Sequence, residues 1–256
     1  MSRARELLGD MAQSRLGQLA VRMAGAERMT LVILMVAAGV VVGFLELAEA
    51  VGEGDTRAFD ERLLLALRTP GNPADPLGPK QFEEMMRDFT ALGSTGVLTL
   101  AVLAIAGFLV MTRKAHAALF VIAAVVGGVL ISQGTKWAYG RPRPDLVPHG
   151  AEVYTASFPS GHAMMSAVVY LTLGALLART QADRRVKFYI LAVAVTGTML
   201  VGISRVYLGV HWPSDVLAGW ALGSAWALIC WLVMTWLQGR GQVEREGQTE
   251  QGSTAR

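Results

Sequence analysis

AALFVIAAVVGGVLISQGTKWAYGRPRP, residues 117–144, has no Asp, Glu, Lys, Arg or His before Lys136, and then presents Lys136, Arg141 and Arg143 in quick succession. An uninterrupted apolar run of roughly 17–25 residues is the length that crosses a bilayer. The cations mark where the run ends. Five further stretches lack ionisable residues: Met29–Leu45, Phe89–Thr112, Ala163–Ala178, Phe188–Ser204 and Val216–Gly239. Six such runs predict an all-α polytopic membrane protein, with six transmembrane helices in one bundle.

Composition agrees. The 256-residue chain is 53% hydrophobic and only 17% charged, against about 25% charged in an ordinary soluble domain. The 28 glycines fit close helix packing in lipid. A net charge of +3 is too small to point to nucleic acid. The single cysteine, Cys230, falls within the sixth run and reads as a packed side chain. No internal repeat is present, and nothing sets an oligomeric state.

Residues 1–28 carry Glu6, Asp10 and Glu27, and the run after them exceeds a signal-peptide h-region. The first span is therefore expected to be an uncleaved anchor. Residues 6–23 place Leu8, Met11, Leu16, Leu19 and Met23 at loosely helical spacing, which fits an interfacial helix or a polar tail. The expected organisation is a cytoplasmic tail at 1–28, a membrane domain at 29–239 and a disordered cytoplasmic tail at 240–256.

Lys and Arg in the loops set orientation. With the N-terminus inside, fourteen fall on the cytoplasmic side and nine outside. The short loops around Arg113-Lys114 and Arg179–Lys187 are dense in positive charge, so both termini are placed in the cytoplasm. A long extracytoplasmic segment, roughly 46–88, then joins spans one and two. Its stretches Arg57–Arg68 and Lys80–Arg87 read as two short surface helices, broken by Pro70, Gly71, Pro73, Pro76 and Pro79. They would cap the bundle or guide a lipid inward.

On this topology three polar clusters share the outer side. Lys136, Arg141 and Arg143 follow span three; arginine forks suit phosphate oxygens and lysine acts as a point charge. Pro159-Ser160-Gly161-His162 precedes span four. Ser160 suits an N-cap, Gly161 permits close backbone approach, and a helix N-terminus favours an anion. His162 sits in the first turn. The third cluster is Ser204-Arg205-x5-His211-x3-Asp215. Pro213 suits the first position of a helix, which puts Asp215 near the third. From there a carboxylate reaches back over the helix start, as in a capping box, and an Asp215–His211 hydrogen bond would fix the imidazole tautomer and free its other nitrogen for attack. Taken singly, these clusters also fit a capped helix, a dipole-complementing carboxylate and a basic interface loop. Together they place phosphate-suited groups from separated segments on one face, and ionisable groups near membrane depth generally signal function.

Lys136-x6-Arg143-Pro144, Pro159-Ser160-Gly161-His162 and Ser204-Arg205-x5-His211-x3-Asp215 resemble the three-part signature of the type 2 phosphatidic acid phosphatase superfamily. That group includes lipid phosphate phosphatases, glucose-6-phosphatases, vanadium haloperoxidases and undecaprenyl diphosphate phosphatases. The resemblance implies that His211 is the nucleophile forming a phosphohistidine, with Asp215 as its orienting partner. It implies that His162 protonates the leaving oxygen and then activates water. Lys136, Arg143, Ser160, Gly161 and Arg205 would cradle the phosphate, with Arg141 an additional cation. No metal or other cofactor is implied; His149 and Glu152 form no ligand pattern. The expected substrate is a membrane lipid phosphate or diphosphate of the undecaprenyl diphosphate, phosphatidylglycerol phosphate or phosphatidic acid class, met in the bilayer of the inner membrane. A lipid-linked phosphotransferase using the same residues is the alternative. A non-catalytic lipid-binding or transport protein ranks below both, because transporters carry polar breaks near mid-span whereas here the ionisable groups sit at helix ends.

Overall fold

The computed structural model describes residues 15–151 and 155–243. Residues 1–14 and 244–256, with the tail expectations that fall on them, and Glu152 lie outside the described residues. The chain runs through α1 (Arg15–Glu53), α2 (Arg57–Ala66), β1 (Arg68–Thr69), β2 (Asn72–Pro76), α3 (Lys80–Ala91), α4 (Thr95–Met111), α5 (Ala115–Tyr139), α6 (Gly161–Thr180), α7 (Arg184–Tyr207) and α8 (Pro213–Gly239). The all-α class holds, with one small antiparallel hairpin added.

Among the described residues, five helices are long and apolar enough to span a bilayer. α3 and α4 together make a sixth candidate, bent by 47° at their junction. The uncharged run starting at Phe89 therefore does not form one helix. Leu92, Gly93 and Ser94 interrupt it, and the Ser94 hydroxyl caps α4 by accepting from the Val97 N–H at 3.3 Å. The apolar faces of α4, α5 and α7 stay bare, with Leu100, Phe108, Leu130 and Phe188 all largely exposed. Such faces are stable against hydrocarbon rather than water. The chain is a multi-pass membrane protein.

α1 extends past the expected end of the first span. Phe44, Leu47, Ala48 and Val51 continue one apolar stripe against Phe158 and Ala218, while Glu46 and Glu49 stay on the exposed side. Helical periodicity thus outlasts the uncharged run. Helices form over both stretches expected in the following segment, as α2 and α3, but α3 runs on to Ala91 and meets α4 at the bend instead of ending at Arg87. Between α2 and α3 the proline-rich stretch turns through Gly71, at a φ of +81°, into the hairpin. The segment is tied to the bundle: Phe82 of α3 meets Tyr207 of α7 edge-on at 5.2 Å, and the Tyr207 hydroxyl donates to the Leu77 carbonyl at 3.0 Å.

α6 is the central helix and packs chiefly on α7 and α8. Gly219 and Gly223 of α8 allow the closest approach. A Cβ at Gly219 would lie 2.7 Å from the Ser160 carbonyl oxygen, and one at Gly223 would lie 2.5 Å from that of Met164. Small residues at this seam let backbones touch, and they register the start of α8 against the start of α6.

Candidate active site

Four helix ends meet at one end of the bundle: the C-termini of α5 and α7 and the N-termini of α6 and α8. Each termination has a local cause. α5 stops at Gly140, which takes the left-handed conformation at φ +55°. Ser160 caps α6, its hydroxyl accepting from the Ala163 N–H. Pro213 opens α8, and Asp215 reaches back so that its Oδ2 accepts from the Trp212 N–H at 2.9 Å. The two N-termini are joined directly, the Ser160 N–H donating to the Asp215 carbonyl at 2.9 Å.

Between these ends lies a cavity of about 400 Å³. Lys136, Arg143, Gly161, His162, Arg205 and His211 all line it. Leu98, Val125, Val129 and Met165 form an apolar wall of the same space. At Gly161 an added Cβ would point at the Lys136 side chain, 3.5 Å from its Cε, so the bare backbone faces the cavity. Ser160 and Asp215 lie behind the lining, fully buried.

His211 is almost wholly buried, and its two ring nitrogens have different partners. Nε2 lies 3.1 Å from Arg143 Nη1. A guanidinium only donates, so Nε2 carries the lone pair and Nδ1 the proton. That N–H is shared between Asp215 Oδ2 at 3.4 Å and the Ser157 hydroxyl at 3.3 Å. Ser157 in turn donates to the same Asp215 oxygen. Burial pushes the imidazole pKa down; Asp215 opposes the shift, and Arg205 and Arg143 reinforce it.

The cations are held by backbone carbonyls and hydroxyls. Arg143 donates from Nε to the Thr155 carbonyl at 2.9 Å and from Nη1 to the Val210 carbonyl at 2.6 Å. Lys136 donates to the Ala156 carbonyl. Arg205 is buried and donates from Nη1 to Thr90 Oγ1 at 3.0 Å, while its Nε has no acceptor. Buried donors are rarely left without a partner; the Arg205 side chain lines the cavity.

Arg141 does not line the cavity. It bridges two buried carboxylates instead, with Nη1 at 2.6 Å from Asp215 Oδ1 and Nη2 at 2.8 Å from Asp60 Oδ2. Nothing in the sequence pattern pointed to Asp60, Ser157, Thr155 or Thr90; each comes from a segment without a motif. His149 donates to the Pro144 carbonyl at 2.7 Å, a loop tie. Among the described residues no group of three His, Cys, Asp or Glu side chains is placed to hold a metal ion.

Fold and site define a polytopic helical membrane protein with a cationic, histidine-bearing cavity built from helix ends. Residues 117–238 match the PAP2 superfamily. The chain is similar to phosphatidylglycerophosphatase B of Bacillus subtilis (strain 168), with 32% identity over 183 residues, 70% of this chain and 85% of that protein. It is also similar to an undecaprenyl-diphosphatase of Sulfolobus acidocaldarius, with 37% identity over 41% of this chain and 47% of the relative. The crystal structure of a transmembrane PAP2-type phosphatidylglycerolphosphate phosphatase from Bacillus subtilis superposes with a TM-score of 0.69 at 28% identity, covering 78% of this chain and 96% of the other. The chain belongs to the PAP2 superfamily.

Proposed function

We propose that this protein hydrolyses a membrane lipid phosphate or diphosphate through a phosphohistidine at His211, without a metal ion. The observation that carries the reading is the pair of environments of the His211 ring: Nε2 faces Arg143 at the cationic cavity, while Nδ1 faces Asp215 and Ser157, the arrangement that leaves the lone pair on Nε2. In the first step Nε2 attacks phosphorus and the bond to the leaving oxygen breaks, with His162 donating the proton that oxygen needs. Arg143 Nη1 moves from the attacking nitrogen to a phosphoryl oxygen, and Lys136, Arg205 and the first N–H groups of α6 stabilise the charge that develops. As His211 becomes positively charged, Asp215 stabilises it. In the second step His162 takes a proton from water, and the hydroxide formed displaces His211.

The mixed lining supports a lipid substrate. Cations and the apolar side chains of Leu98, Val125, Val129 and Met165 line the same cavity, which suits a headgroup that stays attached to its tail. The names of the relatives point to phosphatidylglycerol phosphate and undecaprenyl diphosphate among the lipids of this class. We read six spans, counting α3 and α4 as a bent second one, with residues 29–239 as the phosphatase domain, both termini cytoplasmic and the cavity opening outside the inner membrane. The test is phosphate release in detergent from phosphatidylglycerol phosphate, undecaprenyl diphosphate and phosphatidic acid. Wild type should release phosphate in excess chelator and form an acid-labile, base-stable phosphoprotein in rapid quench. Retained release by His211→Ala would overturn the nucleophile.

A further inference from the structure

We propose that Asp60, from the segment joining the first two spans, is a positioning residue for the reaction: through Arg141 it sets the carboxylate of Asp215 that orients His211. The inference rests on the phosphatase reading above and adds a component from outside the three sequence clusters.

Asp60 is fully buried, and the hydrogen bonds its carboxylate accepts lead toward the site. Oδ1 accepts from the Ser214 N–H at 2.8 Å. Oδ2 accepts from the Ser214 hydroxyl at 2.6 Å and from Arg141 Nη2 at 2.8 Å. Ser214 immediately precedes Asp215, so Asp60 grips the first turn of α8 by its backbone as well as through the guanidinium. Arg141 is braced further: Nη1 donates to Ser214 Oγ at 2.8 Å, Nη2 to Thr56 Oγ1 at 3.3 Å, and the guanidinium lies 5.6 Å from the Trp212 ring centre.

The geometry divides the work of Asp215 between its two oxygens. Oδ1 accepts from Arg141. Oδ2 accepts from Ser157 and the Trp212 N–H and faces His211 Nδ1. A guanidinium with one carboxylate partner is free to take both of its oxygens in the bidentate fork that Arg prefers. Asp60 occupies the second arm, so Arg141 meets Asp215 through one nitrogen and Oδ2 stays directed at the imidazole. A buried arginine between two carboxylates also leaves a net negative charge behind His211, which favours the positive charge that the ring acquires on attack. Removing Asp60 would take away both the aim and the charge, without touching any group that contacts the substrate.

The role predicts non-additivity, which a merely structural role does not. Asp60→Asn should lower kcat by about 10- to 100-fold, by analogy with outer partners of metal-bound histidines, with KM within about twofold. In an Asp215→Asn background the same change should have almost no further effect, because residues acting through one group are not additive. Asp60→Glu should restore part of the lost kcat. Should Asp60→Asn fail to fold in detergent, Arg141→Lys serves as the second variant, since one ammonium cannot span both carboxylates; it should show the same loss in kcat and the same non-additivity. Wild-type turnover in the single variants, losses that multiply with Asp215→Asn, or a rise in KM at unchanged kcat would overturn the assignment. His211→Ala separates the two layers. If it still releases phosphate, the phosphohistidine reading fails whatever Asp60 does; if it is dead while Asp60→Asn is fully active, only the positioning role fails.

Discussion

Arg143 Nη1 and His211 Nε2 face each other at 3.1 Å, and the contact has two consequences. It fixes which imidazole nitrogen holds the lone pair, and it puts a guanidinium where a phosphoryl oxygen must come during attack. Arg143→Lys keeps the charge but loses the fork that also reaches the Thr155 and Val210 carbonyls. The variant should lose about 10²–10³-fold in kcat, comparable to removal of one preorganised oxyanion donor. His211→Ala should abolish turnover. Steady-state kinetics on a short-chain lipid phosphate in detergent checks both.

An acid-sensitive fold is expected from the same imidazole. Burial holds the His211 pKa below its usual value, whereas the unfolded chain returns it to about 6.5. Between those two values the unfolded state binds a proton that the folded state does not, so stability rises with pH and falls as pH drops below the unfolded value. Wild type should lose Tm between pH 7.5 and pH 5, and His211→Gln should show a shallower loss. Activity adds a second constraint, because His162 must carry a proton in the first step. The rate should therefore fall at both extremes of pH, and a flat profile would contradict the pairing.

Arg205 makes a separable prediction because its Nε is buried without an acceptor. The side chain itself lines the cavity, where its guanidinium would meet a phosphoryl oxygen. Arg205→Ala should lower kcat by about 10²–10³-fold, yet it removes a desolvated donor, so Tm should hold or rise. Orthovanadate, a phosphate mimic, should raise Tm in wild type by several degrees and should do so much less in the variant. A variant that loses Tm but keeps the vanadate response would contradict this role for Arg205.

The parts of the site legible in the sequence are those governed by helix-end chemistry. Ser160, Pro213 and Asp215 follow rules that operate within one turn, so their places could be read from spacing alone. The partners at long range could not. Asp60 lies in a charged stretch that looks like any surface helix, and only its burial against Ser214 and Arg141 separates it from Glu61 beside it, which pairs with exposed Arg57. Arg141 and Arg143 are alike in sequence, but the fold sends one to two carboxylates and the other to the cavity. The bend between α3 and α4 was hidden for a related reason. Absence of charge marks what lipid tolerates, whereas the break comes from Gly93 and the Ser94 cap, which hydropathy does not see. At Gly93 an added Cβ would lie 2.4 Å from Val201 Cγ1, so the junction packs directly on α7.

The seam between α6 and α8 should be the most substitution-sensitive apolar contact near the site. Gly219→Val inserts atoms where a Cβ alone would lie 2.7 Å from the Ser160 carbonyl. Backbone cannot yield as a flexible side chain does, so the helices must separate, at about 1–3 kcal/mol. Activity should fall with Tm, since the Ser160 N–H to Asp215 carbonyl bond crosses the same seam. Gly96→Val is the control: a Cβ there meets nothing within 4 Å, so it should leave Tm nearly unchanged. Thermal unfolding in detergent, monitored for the pair, tests the contrast.

Orientation is testable through single cysteines, because the native thiol at Cys230 is buried. Asn72→Cys lies on the exposed hairpin at the cavity side of the bundle, whose segment reaches the site through Asp60. Arg113→Cys lies in the turn between α4 and α5, at the other end of α5 from Lys136. With the cavity outside the inner membrane, a membrane-impermeant maleimide added to intact cells should label position 72 and leave 113 untouched until the membrane is opened. The reverse pattern would put the site in the cytoplasm and invert the positive-inside reading of Arg113-Lys114 and Arg179–Lys187. Labelling of both in intact cells would mean that α4 and α5 do not form adjacent spans, which would remove the basis for counting α3 and α4 as one bent crossing.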